Sequence, residues 1–564
     1  MLAVPVTADF HLSPEIAGEI LGISGIRMTN PYLTLEGVSY ILPDGRALFS
    51  DLTGQFDHHP TGLVGRNGTG KSVLARILAA ELKPSTGRCV RSGKVFYLAQ
   101  NMVYTDLTSV AGLAGVQATV DAIERIETGS IDPVDFDLVG DQWDIRQCLQ
   151  HELDRNGLGR LNPATPSDTL SGGEAMRIAL IGALLSNADF LILDEPTNHL
   201  DGENRQALIE QLQRWPNGLL VISHDRQLLE TMVRIVELSP LGLRSYGGAY
   251  SFYAQCKEQE RASTIQQLEQ RKLEQKREVQ SLREQRERQE RRQARGNRHG
   301  SDANQAKILL GRQKERSESS AGKLSQQQSA RMEQLSERVR EAARLVEDKA
   351  SITMHALPVA QARQQRVAEL DEAVLPFVPS ATRKISLTLT GQQRVGVIGP
   401  NGCGKSTLLK LLAGHILPLA GRCDVGCKIA YLDQQLADVQ PQSSTIEQML
   451  AANGTAGEDV LRTQLAQLGL DARKVTVPCG SLSGGERLKA ALACVLYADP
   501  PAQLLLLDEP SNHLDLASLQ ALESMLSQYR GALVIVSHDP VFLDHLGLTY
   551  RLLATTTGWR LEPW

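Results

Sequence analysis

Short apolar segments, each four or five residues long, recur along both halves of the chain between polar or glycine-rich stretches. Two of them, in FLILDE and LLLLDE, end in the acidic pairs Asp194, Glu195 and Asp508, Glu509. Runs of this length that are apolar throughout are typical of buried strands in a parallel sheet. Helical patterns follow other strands of this kind, so the order of elements predicts an α/β fold in each half.

The segment between the halves has a different pattern, because it is rich in Glu, Gln, Lys and Arg and has few apolar residues. It predicts two long helices, over Ser251 to Ala294 and over Lys323 to Asp348, with a glycine-containing tip around the apolar patch Ile308 to Leu310. In the second helix, apolar residues step by three and four, which is the spacing of a coiled-coil seam. These seam residues are Met332, Leu335, Val339, Ala342 and Val346. The first helix matches only in part, so we expect a partly paired antiparallel helical hairpin.

Length and composition narrow the class of protein. A chain of 564 residues is long enough for two or more domains, and 42% hydrophobic with 22% charged residues is ordinary for a globular protein. No apolar run approaches the roughly 18 residues of a membrane span. The first twenty residues include Asp9, Glu15 and Glu19 and do not resemble a secretory signal. We therefore expect a cytoplasmic protein without a membrane domain.

The string GRNGTGKS at Gly65 to Ser72 recurs as GPNGCGKS at Gly399 to Ser406. In a loop of this form, glycines let backbone N–H groups surround phosphate oxygens, the lysine reaches the β and γ phosphates, and the hydroxyl binds Mg²⁺. A chance glycine-rich turn is the alternative, and two copies in matching context make it the weaker one. We predict two sites for ATP and Mg²⁺. Their phosphate-binding residues are Gly65, Asn67, Gly68, Gly70, Lys71 and Ser72, and Gly399, Asn401, Gly402, Gly404, Lys405 and Ser406.

Further motifs repeat in the same order. Gln100 and Gln434 end the strings YLAQ and YLDQ, at the same offset of 334 residues as the two loops. LSGGE follows at Leu170 to Glu174 and at Leu482 to Glu486, where the offset is 312 residues. The first half therefore holds 22 extra residues between its glutamine and its LSGGE. Because this stretch is acidic, which disfavours contact with RNA but not with a basic protein, we expect a slightly enlarged helical subdomain there.

The strand-ending acidic pairs suit phosphoryl chemistry. The first carboxylate, Asp194 or Asp508, is placed to hold Mg²⁺, and the second, Glu195 or Glu509, to accept a proton from the attacking water. A pair that merely ends a strand is the alternative, and the phosphate loop upstream disfavours it.

A histidine repeats at a fixed distance from each pair. His224 in VISHD and His538 in IVSHD follow further apolar strands. A single histidine in this position is more often structural, but the repetition favours a contact with the γ phosphate.

Taken in order, the phosphate loop, glutamine, LSGGE, strand ending in DE and histidine resemble the ATP-binding cassette superfamily. The resemblance implies two P-loop cassettes arranged head to tail, with each ATP between the phosphate loop of one and the LSGGE of the other. One site would join Lys71, Ser72, Gln100, Asp194, Glu195 and His224 to Ser483, Gly484 and Gly485. The other would join Lys405, Ser406, Gln434, Asp508, Glu509 and His538 to Ser171, Gly172 and Gly173. The residues expected near Mg²⁺ are Ser72, Gln100, Asp194, Ser406, Gln434 and Asp508.

An aromatic ring usually stacks on adenine in such cassettes. Tyr40 is the candidate in the first half. Phe377 is the nearest candidate in the second half, where an aromatic of the core or of a turn is an equal alternative.

The sequences PTNHLD at Pro196 to Asp201 and PSNHLD at Pro510 to Asp515, in a chain with two cassettes and no membrane segment, resemble the ABC-F family. That resemblance implies an ATPase that acts on the ribosome, near the tRNA exit site, to modulate translation or to relieve stalling or antibiotic binding. It implies a monomer that works as an intramolecular cassette pair. Ser511 replaces the commoner threonine but keeps a hydroxyl. Val73 replaces another frequent threonine.

Positive charge is concentrated in the predicted hairpin. Residues 250–349 contain 23 Lys and Arg against 16 Asp and Glu, a net of +7, whereas the whole chain has a net charge of −6. A solvated helical spacer is the plain alternative. Arginines near the tip favour RNA instead, since they contact phosphates and stack on bases. They are Arg283, Arg286, Arg288, Arg291, Arg292, Arg295 and Arg298. The family resemblance implies that the hairpin contacts ribosomal RNA and tRNA.

We therefore expect four segments: an N-terminal extension of unassigned role (1–31), a first cassette (32–250), a basic helical linker (251–365) and a second cassette (366–564). Two other functions remain open at this point. The chain would otherwise be the motor subunit of a membrane transporter, or an ATPase that uses the hairpin on DNA.

The eight cysteines are scattered, without a C-x-x-C pair, and are expected to be reduced structural thiols. Cys403 is the exception, because it lies within the second phosphate loop. We hypothesise that the adjacent Lys405 lowers the pKa of its thiol, so that alkylation there blocks ATP binding.

Overall fold

The computed structural model describes residues 32–99, 109–198, 200–302, 329–340, 366–434, 436–437, 439–512 and 514–564. Within them, two α/β units of the same plan are joined by a long helix. The predicted fold class is therefore confirmed. Each unit has a three-stranded antiparallel sheet and a six-stranded sheet that is parallel apart from its last strand.

The described part of the first unit has nine strands. They are β1 (Leu33–Ile41), β2 (Ala47–Phe56), β3 (Thr61–Val64), β4 (Thr86–Arg91), β5 (Val95–Leu98), β6 (Phe190–Asp194), β7 (Gly218–Ile222), β8 (Arg234–Ser239) and β9 (Gly242–Gly247). The antiparallel sheet has the order β2-β1-β4, and the larger sheet the order β5-β6-β7-β3-β8-β9.

Its helices connect the parallel strands. They are α1 (Lys71–Leu78), α2 (Val110–Leu113), α3 (Gln117–Glu127), α4 (Pro133–Val139), α5 (Ile145–Arg155), α6 (Gly172–Leu185), α7 (Gly202–Gln213) and α8 (Arg226–Glu230). A 3₁₀ turn at Ser167–Thr169 precedes α6.

The linker begins with α9 (Tyr250–Asp302), which is longer than the predicted helix. Glu230, the last residue of α8, fixes its first turn by accepting hydrogen bonds from the Ser251 backbone N at 2.9 Å and hydroxyl at 2.8 Å. A second helix, α10 (329–340), is joined to α9 by an ion pair between Arg331 and Glu278 at 2.9 Å. The expected tip, and the seam positions beyond residue 340, lie outside the described residues.

The second unit repeats the strand plan. Its strands are β10 (Arg366–Val374), β11 (Lys384–Thr390), β12 (Arg394–Ile398), β13 (Arg422–Val425), β14 (Ile429–Leu432), β15 (Leu504–Asp508), β16 (Ala532–Val536), β17 (Tyr550–Thr555) and β18 (Gly558–Pro563). They form sheets of order β11-β10-β13 and β14-β15-β16-β12-β17-β18.

The helices of the second unit are α11 (Lys405–Leu412), α12 (Thr445–Ala452), α13 (Glu458–Gln467), α14 (Gly484–Leu496), α15 (Leu516–Gln528) and α16 (Pro540–His545). Two 3₁₀ turns lie at Ser380–Thr382 and Cys479–Ser481. Between the fifth strand and LSGGE, the described part of the first unit has the four helices α2 to α5, whereas that of the second has α12 and α13. The extra residues therefore enlarge the helical subdomain, as predicted.

The central strands of each large sheet are largely apolar. All residues of β6 and of β15 are buried, and both strands end in aspartate. Helices cover the sheets, so the carboxyl ends of the strands are where polar side chains emerge. In the described parts of the chain, no helix is long and apolar enough to cross a membrane.

Candidate functional site

Each phosphate loop connects a buried strand to a helix, β3 to α1 and β12 to α11. Gly70 and Gly404 are the residues before these helices, with φ of 94° and 101°. A Cβ on Gly70 would lie 2.6 Å from a methyl group of Leu48, and one on Gly404 would lie 2.8 Å from Val378. Because both the left-handed backbone and the close packing exclude side chains, the two loops require glycine here.

The loop lysines turn inward. Lys71 Nζ donates hydrogen bonds to the carbonyl oxygens of Gly65 at 2.7 Å and Arg66 at 3.2 Å. Lys405 does the same with the first two residues of its own loop, at 2.8 and 2.9 Å. Burial lowers the pKa of both ammonium groups, although nearby carboxylates oppose that shift. Each positive charge thus lies inside the curve of its loop, where phosphate would bind.

The aspartates at the ends of β6 and β15 have the environment of a metal ligand. Asp194 and Asp508 are each 3% exposed, and Oδ1 of each is buried without a hydrogen-bond partner. Ser72 and Ser406 hydrogen-bond to these carboxylates, while burial raises the pKa of both aspartates. An orphaned carboxylate oxygen beside a hydroxyl fits a cation.

A carboxylate and a hydroxyl supply the oxygen ligands that Mg²⁺ prefers. Among the described residues, no group of three or more His, Cys, Asp or Glu side chains could hold a metal ion. Mg²⁺ is commonly bound by one or two protein ligands together with substrate phosphates. The site therefore fits a Mg²⁺ that arrives with the nucleotide.

The glutamates that follow the aspartates adopt an unusual backbone. Glu195 and Glu509 both have φ of 50°, in the left-handed region that non-glycine residues rarely adopt. Their backbone N–H groups donate to Ile222 O at 2.8 Å and Val536 O at 3.0 Å. Such strain costs about 1–3 kcal/mol and is concentrated at functional sites. Burial raises the pKa of Glu195 to about 8 and that of Glu509 to about 7, which suits a proton acceptor near neutral pH.

A neutral histidine faces each glutamate. Nε2 of His224 lies 3.5 Å from Glu195 Oε1, and Nε2 of His538 lies 3.4 Å from Glu509 Oε1. Burial, with a contribution from the loop lysine, lowers the pKa of His224 to about 3 and that of His538 to about 4. Both ring nitrogens of His224 are buried without a hydrogen-bond partner, so they can contact a ligand.

A cavity of about 390 Å³ lies over the second phosphate loop and is walled by both halves of the chain. From the second half it is lined by Lys405, Ser406, Gln434, Asp508, Glu509 and His538, and from the first by Glu195, Asn198, Arg205 and His224, among others. Residues predicted for the two different sites thus meet in one space, whereas the predicted partners of the second loop, Ser171, Gly172 and Gly173, are not among the residues that line it. Gln434 is exposed in a turn, and Gln100 lies outside the described residues.

The LSGGE serines begin α6 and α14. Ser171 and Ser483 are the N-caps, and each forms a reciprocal capping box with the glutamate of its motif. A Cβ on Gly173 would lie 2.7 Å from Asn204, and one on Gly485 would lie 2.6 Å from Ser518 Oγ. The second glycine therefore lets the LSGGE helix pack against the first turn of α7 or α15. Gly172 and Gly484 are exposed, and there is open space where a Cβ would lie.

Two aspartates missed by the motif reasoning join the halves. Asp515 Oδ2 accepts a hydrogen bond from Asn67 N at 2.8 Å, and Asp201 Oδ2 accepts one from Asn401 N at 3.1 Å. Burial alone would raise the pKa of each aspartate. The hydrogen bonds from the opposite phosphate loop and from the aspartate's own helix, together with a nearby histidine, outweigh burial and lower the pKa. Their repetition at the end of PTNHLD and PSNHLD was the available signal. The halves therefore lie head to tail. The start of α7 in the first half contacts the second phosphate loop, and the start of α15 in the second half contacts the first phosphate loop.

The two aromatic candidates differ. Tyr40 is partly buried on β1, with its ring centroid 6.3 Å from that of Phe49, which borders Gly70. Phe377 is fully exposed with φ of 58° and lines the cavity over the second loop. Phe377 is therefore not a core residue, and its exposed ring can stack on a base.

The hypothesis of a reactive Cys403 is wrong. The residue is 6% exposed, and burial raises the pKa of its thiol. Lys405 acts in the opposite direction but more weakly, because its ammonium group is directed to the carbonyls of Gly399 and Pro400.

Comparison with known proteins gives a consistent result. The family model described as ABC transporter matches residues 56–198 and 382–512. The chain is 32% identical over 513 residues to the energy-dependent translational throttle protein EttA of Mycobacterium tuberculosis, covering 86% of this chain and 84% of that protein. It is 30% identical over 545 residues to the tylosin resistance ATP-binding protein TlrC of Streptomyces fradiae, covering 90% and 94%.

A third relative is the ATP-binding protein Uup of Haemophilus influenzae, 30% identical over 514 residues, with 86% of this chain and 72% of that protein covered. Among solved structures, an archaeal ribosome recycling factor, aABCE1, in complex with a ribosomal stalk protein, matches with a TM-score of 0.51 and 18% identity. It covers 93% of this chain and 89% of that one. That likeness concerns the fold alone.

Proposed function

Because the chain belongs to the ABC-F family of ATP-binding cassette ATPases, we propose that it hydrolyses ATP at two sites shared between its cassettes and acts on the ribosome. ATP hydrolysis itself is the activity of the family. The proposal concerns where the ATP lies, which residues act on it and what the closed cassettes bind.

At each site, the residues have separate roles. The loop residues from Gly65 to Ser72, or from Gly399 to Ser406, bind phosphate, and Asp194 or Asp508 holds Mg²⁺ with the loop serine. Mg²⁺ supplies charge neutralisation on the phosphates when bound. Glu195 or Glu509 accepts the proton of the attacking water, and the opposing LSGGE contacts the γ phosphate with its serine hydroxyl and N–H groups.

The observation that carries this assignment is the pair of reciprocal contacts made by Asp515 and Asp201. Each aspartate lies at the start of the helix against which the LSGGE helix packs, and each contacts the phosphate loop of the other half. A nucleotide on one loop is therefore bordered by the other half. Since ADP lacks the γ phosphate, the closed arrangement is favoured by ATP.

The ribosome is supported as the target by the relatives and by charge. EttA is named as a translational throttle and TlrC as a tylosin resistance protein. The linker of this chain, with its net charge of +7 in a chain of net charge −6, suits contact with ribosomal RNA or tRNA. We propose that the linker hairpin makes this contact near the tRNA exit site, in the cytoplasm, and that the chain works as a monomer.

The test is sedimentation of the double variant Glu195→Gln, Glu509→Gln with purified ribosomes. With ATP, the variant is expected to pellet with ribosomes and to inhibit translation, whereas ADP releases it. Raising salt from about 50 to 200 mM should weaken the binding by orders of magnitude, because phosphate contacts release counterions. Absence from the ribosome pellet in ATP at moderate salt would refute the ribosomal assignment. Recovery with DNA instead would favour the alternative partner.

A further inference from the structure

Arg205, on α7 of the first cassette, lies between the two loops that carry the switch histidines. We define these switch loops as His224 with Asp225, and His538 with Asp539. Arg205 Nη1 donates a hydrogen bond to the backbone oxygen of His538 at 2.5 Å. Its Nε lies 2.7 Å from Asp225 Oδ2, as an ion pair in which the arginine is 12% and the aspartate 3% exposed. One side chain therefore contacts the switch loops of both ATP sites.

Asp225 is itself firmly oriented. Its Oδ1 accepts hydrogen bonds from Gln227 N at 3.0 Å and Leu228 N at 3.3 Å, so it caps α8 immediately after His224. Arg205 is thereby held on one side by the first switch loop, while it holds the second through the His538 carbonyl. A shift of either loop alone would therefore strain the Arg205–Asp225 contact between buried charges or the Arg205 hydrogen bond to His538, and a buried charge is costly to leave unpaired.

The second cassette has no counterpart of Arg205. The halves are offset by 314 residues at this point, and the equivalent residue is Leu519, which is 2% exposed. A second contact between the halves also depends on an arginine that is present in the first cassette alone of the two equivalent positions. Arg226 pairs with Glu523 of the second cassette at 2.7 Å, whereas the equivalent position to Arg226 is Pro540. Both arginines come from the first cassette, so the two ATP sites are not equivalent.

We propose that Arg205 is a positioning residue that couples the two ATP sites: it ties the His538 loop to the His224 loop, so that nucleotide at one site changes turnover at the other. The inference rests on the proposed location of ATP between the cassettes. Arg205 acts through the position of His538, whose imidazole lies 3.4 Å from Glu509.

The experiment measures the rate of ATP hydrolysis against ATP concentration for the full chain. Arg205→Leu introduces the residue of the other half. Asp225→Asn keeps an oxygen to cap α8 but removes the charge that holds Arg205. The control is Gln206→Ala, an exposed neighbour on the same helix. The unsubstituted chain and the control are expected to hydrolyse ATP cooperatively, with a Hill coefficient clearly above 1.

Both test variants are expected to lower the Hill coefficient to 1 and to lower kcat by about fivefold or more, because a small displacement of positioned groups slows the reaction. The ATP concentration at half-maximal rate should change much less than kcat. The double variant should have a kcat no lower than that of Arg205→Leu alone, because both substitutions break the same contact. If Arg205→Leu does not fold, as judged by thermal unfolding, Asp225→Asn decides the question.

The possible outcomes distinguish a failure of the Arg205 coupling from a failure of the proposed ATP sites. Turnover that persists in Glu195→Gln, Glu509→Gln would overturn the proposed sites, and the coupling with them. If that variant is inactive but cooperativity survives in Arg205→Leu or Asp225→Asn, the sites hold and the coupling is refuted. A Hill coefficient of 1 in the unsubstituted chain refutes the coupling as well.

Discussion

Asp515 and Asn67, 448 positions apart in the chain, are joined by a hydrogen bond of 2.8 Å from the amide of Asn67 to the carboxylate of Asp515. The other oxygen of Asp515 accepts from Ser518 N at 2.8 Å and so caps α15. One carboxylate thus begins a helix in its own half and contacts the phosphate loop of the other. Asp201 repeats this arrangement with Asn401 and Asn204.

Replacing Asp515 with serine should separate its two functions. Serine is a good N-cap and keeps α15 intact, but its shorter side chain cannot reach Asn67. Loss of a hydrogen bond to a charged group costs about 1.5–3 kcal/mol. We expect the substitution, placed in the hydrolysis-deficient Glu195→Gln, Glu509→Gln chain, to raise the ATP concentration needed for closure about tenfold or more. Small-angle X-ray scattering during an ATP titration measures closure as compaction.

The matched control for Asp515→Ser is Asp132→Ser. Asp132 caps α4 through a bond to Val134 N and makes no cross-half contact among the described residues. It should leave the titration unchanged. If both variants behaved alike, the contact to Asn67 would have no part in closure.

The two glycines of the first LSGGE should differ in their tolerance of alanine. A methyl group on Gly173 would lie 2.7 Å from Asn204, whereas no atom lies within 4 Å of one on Gly172. We expect Gly173→Ala to lower the free energy of unfolding by about 1–3 kcal/mol, because α6 must move away from α7. Gly172→Ala should leave stability unchanged or slightly increased, since alanine favours helix. Thermal unfolding of both variants distinguishes them, and equal stabilities would contradict the close packing of α6 against α7.

Cys403 should be slow to alkylate despite its place in a phosphate loop. Burial raises the pKa of the thiol above its ordinary value of 9.0, so the reactive thiolate is scarce at pH 8 and increases only as the pH rises beyond 9. We expect iodoacetamide to modify Cys403 at least about tenfold more slowly in the folded chain than in urea. Mass spectrometry of the peptides gives both rates. Equal rates of modification in the folded chain and in urea would support the original hypothesis that the Cys403 thiol is reactive.

The sequence was sufficient to predict those site residues whose positions are determined by their neighbours in the chain. Lys71 and Ser72 lie at the start of α1, and Asp194 at the end of β6, because glycine and apolar patterning determine those junctions directly. The positions of the aspartates at the ends of β6 and β15 could be predicted without knowing how the two halves are arranged. Residues with long-range partners were not recognisable in this way.

Three features depend on tertiary structure. Arg205 belongs to no motif, and its importance arises only when the second half brings the His538 carbonyl beside it. The left-handed backbone of Glu195 cannot be read from a residue type that normally avoids it. For Cys403, sequence proximity to Lys405 indicated a lowered pKa, but burial outweighed a charge that faces the loop carbonyls.

Because α9 is long and is attached at its first turn, a small rotation at its base would produce a large displacement at its far end. Its 53 residues span about 80 Å at 1.5 Å per residue. The helix is fixed at Ser251 by Glu230, while the opposite end of the five-residue α8 is capped by Asp225 of the first switch loop. For a rigid rod of that length, a tilt of one degree at the base displaces the far end by about 1.4 Å. A rotation of a few degrees beside His224 would therefore displace the far end of a rigid α9 by a distance comparable to the spacing between stacked bases.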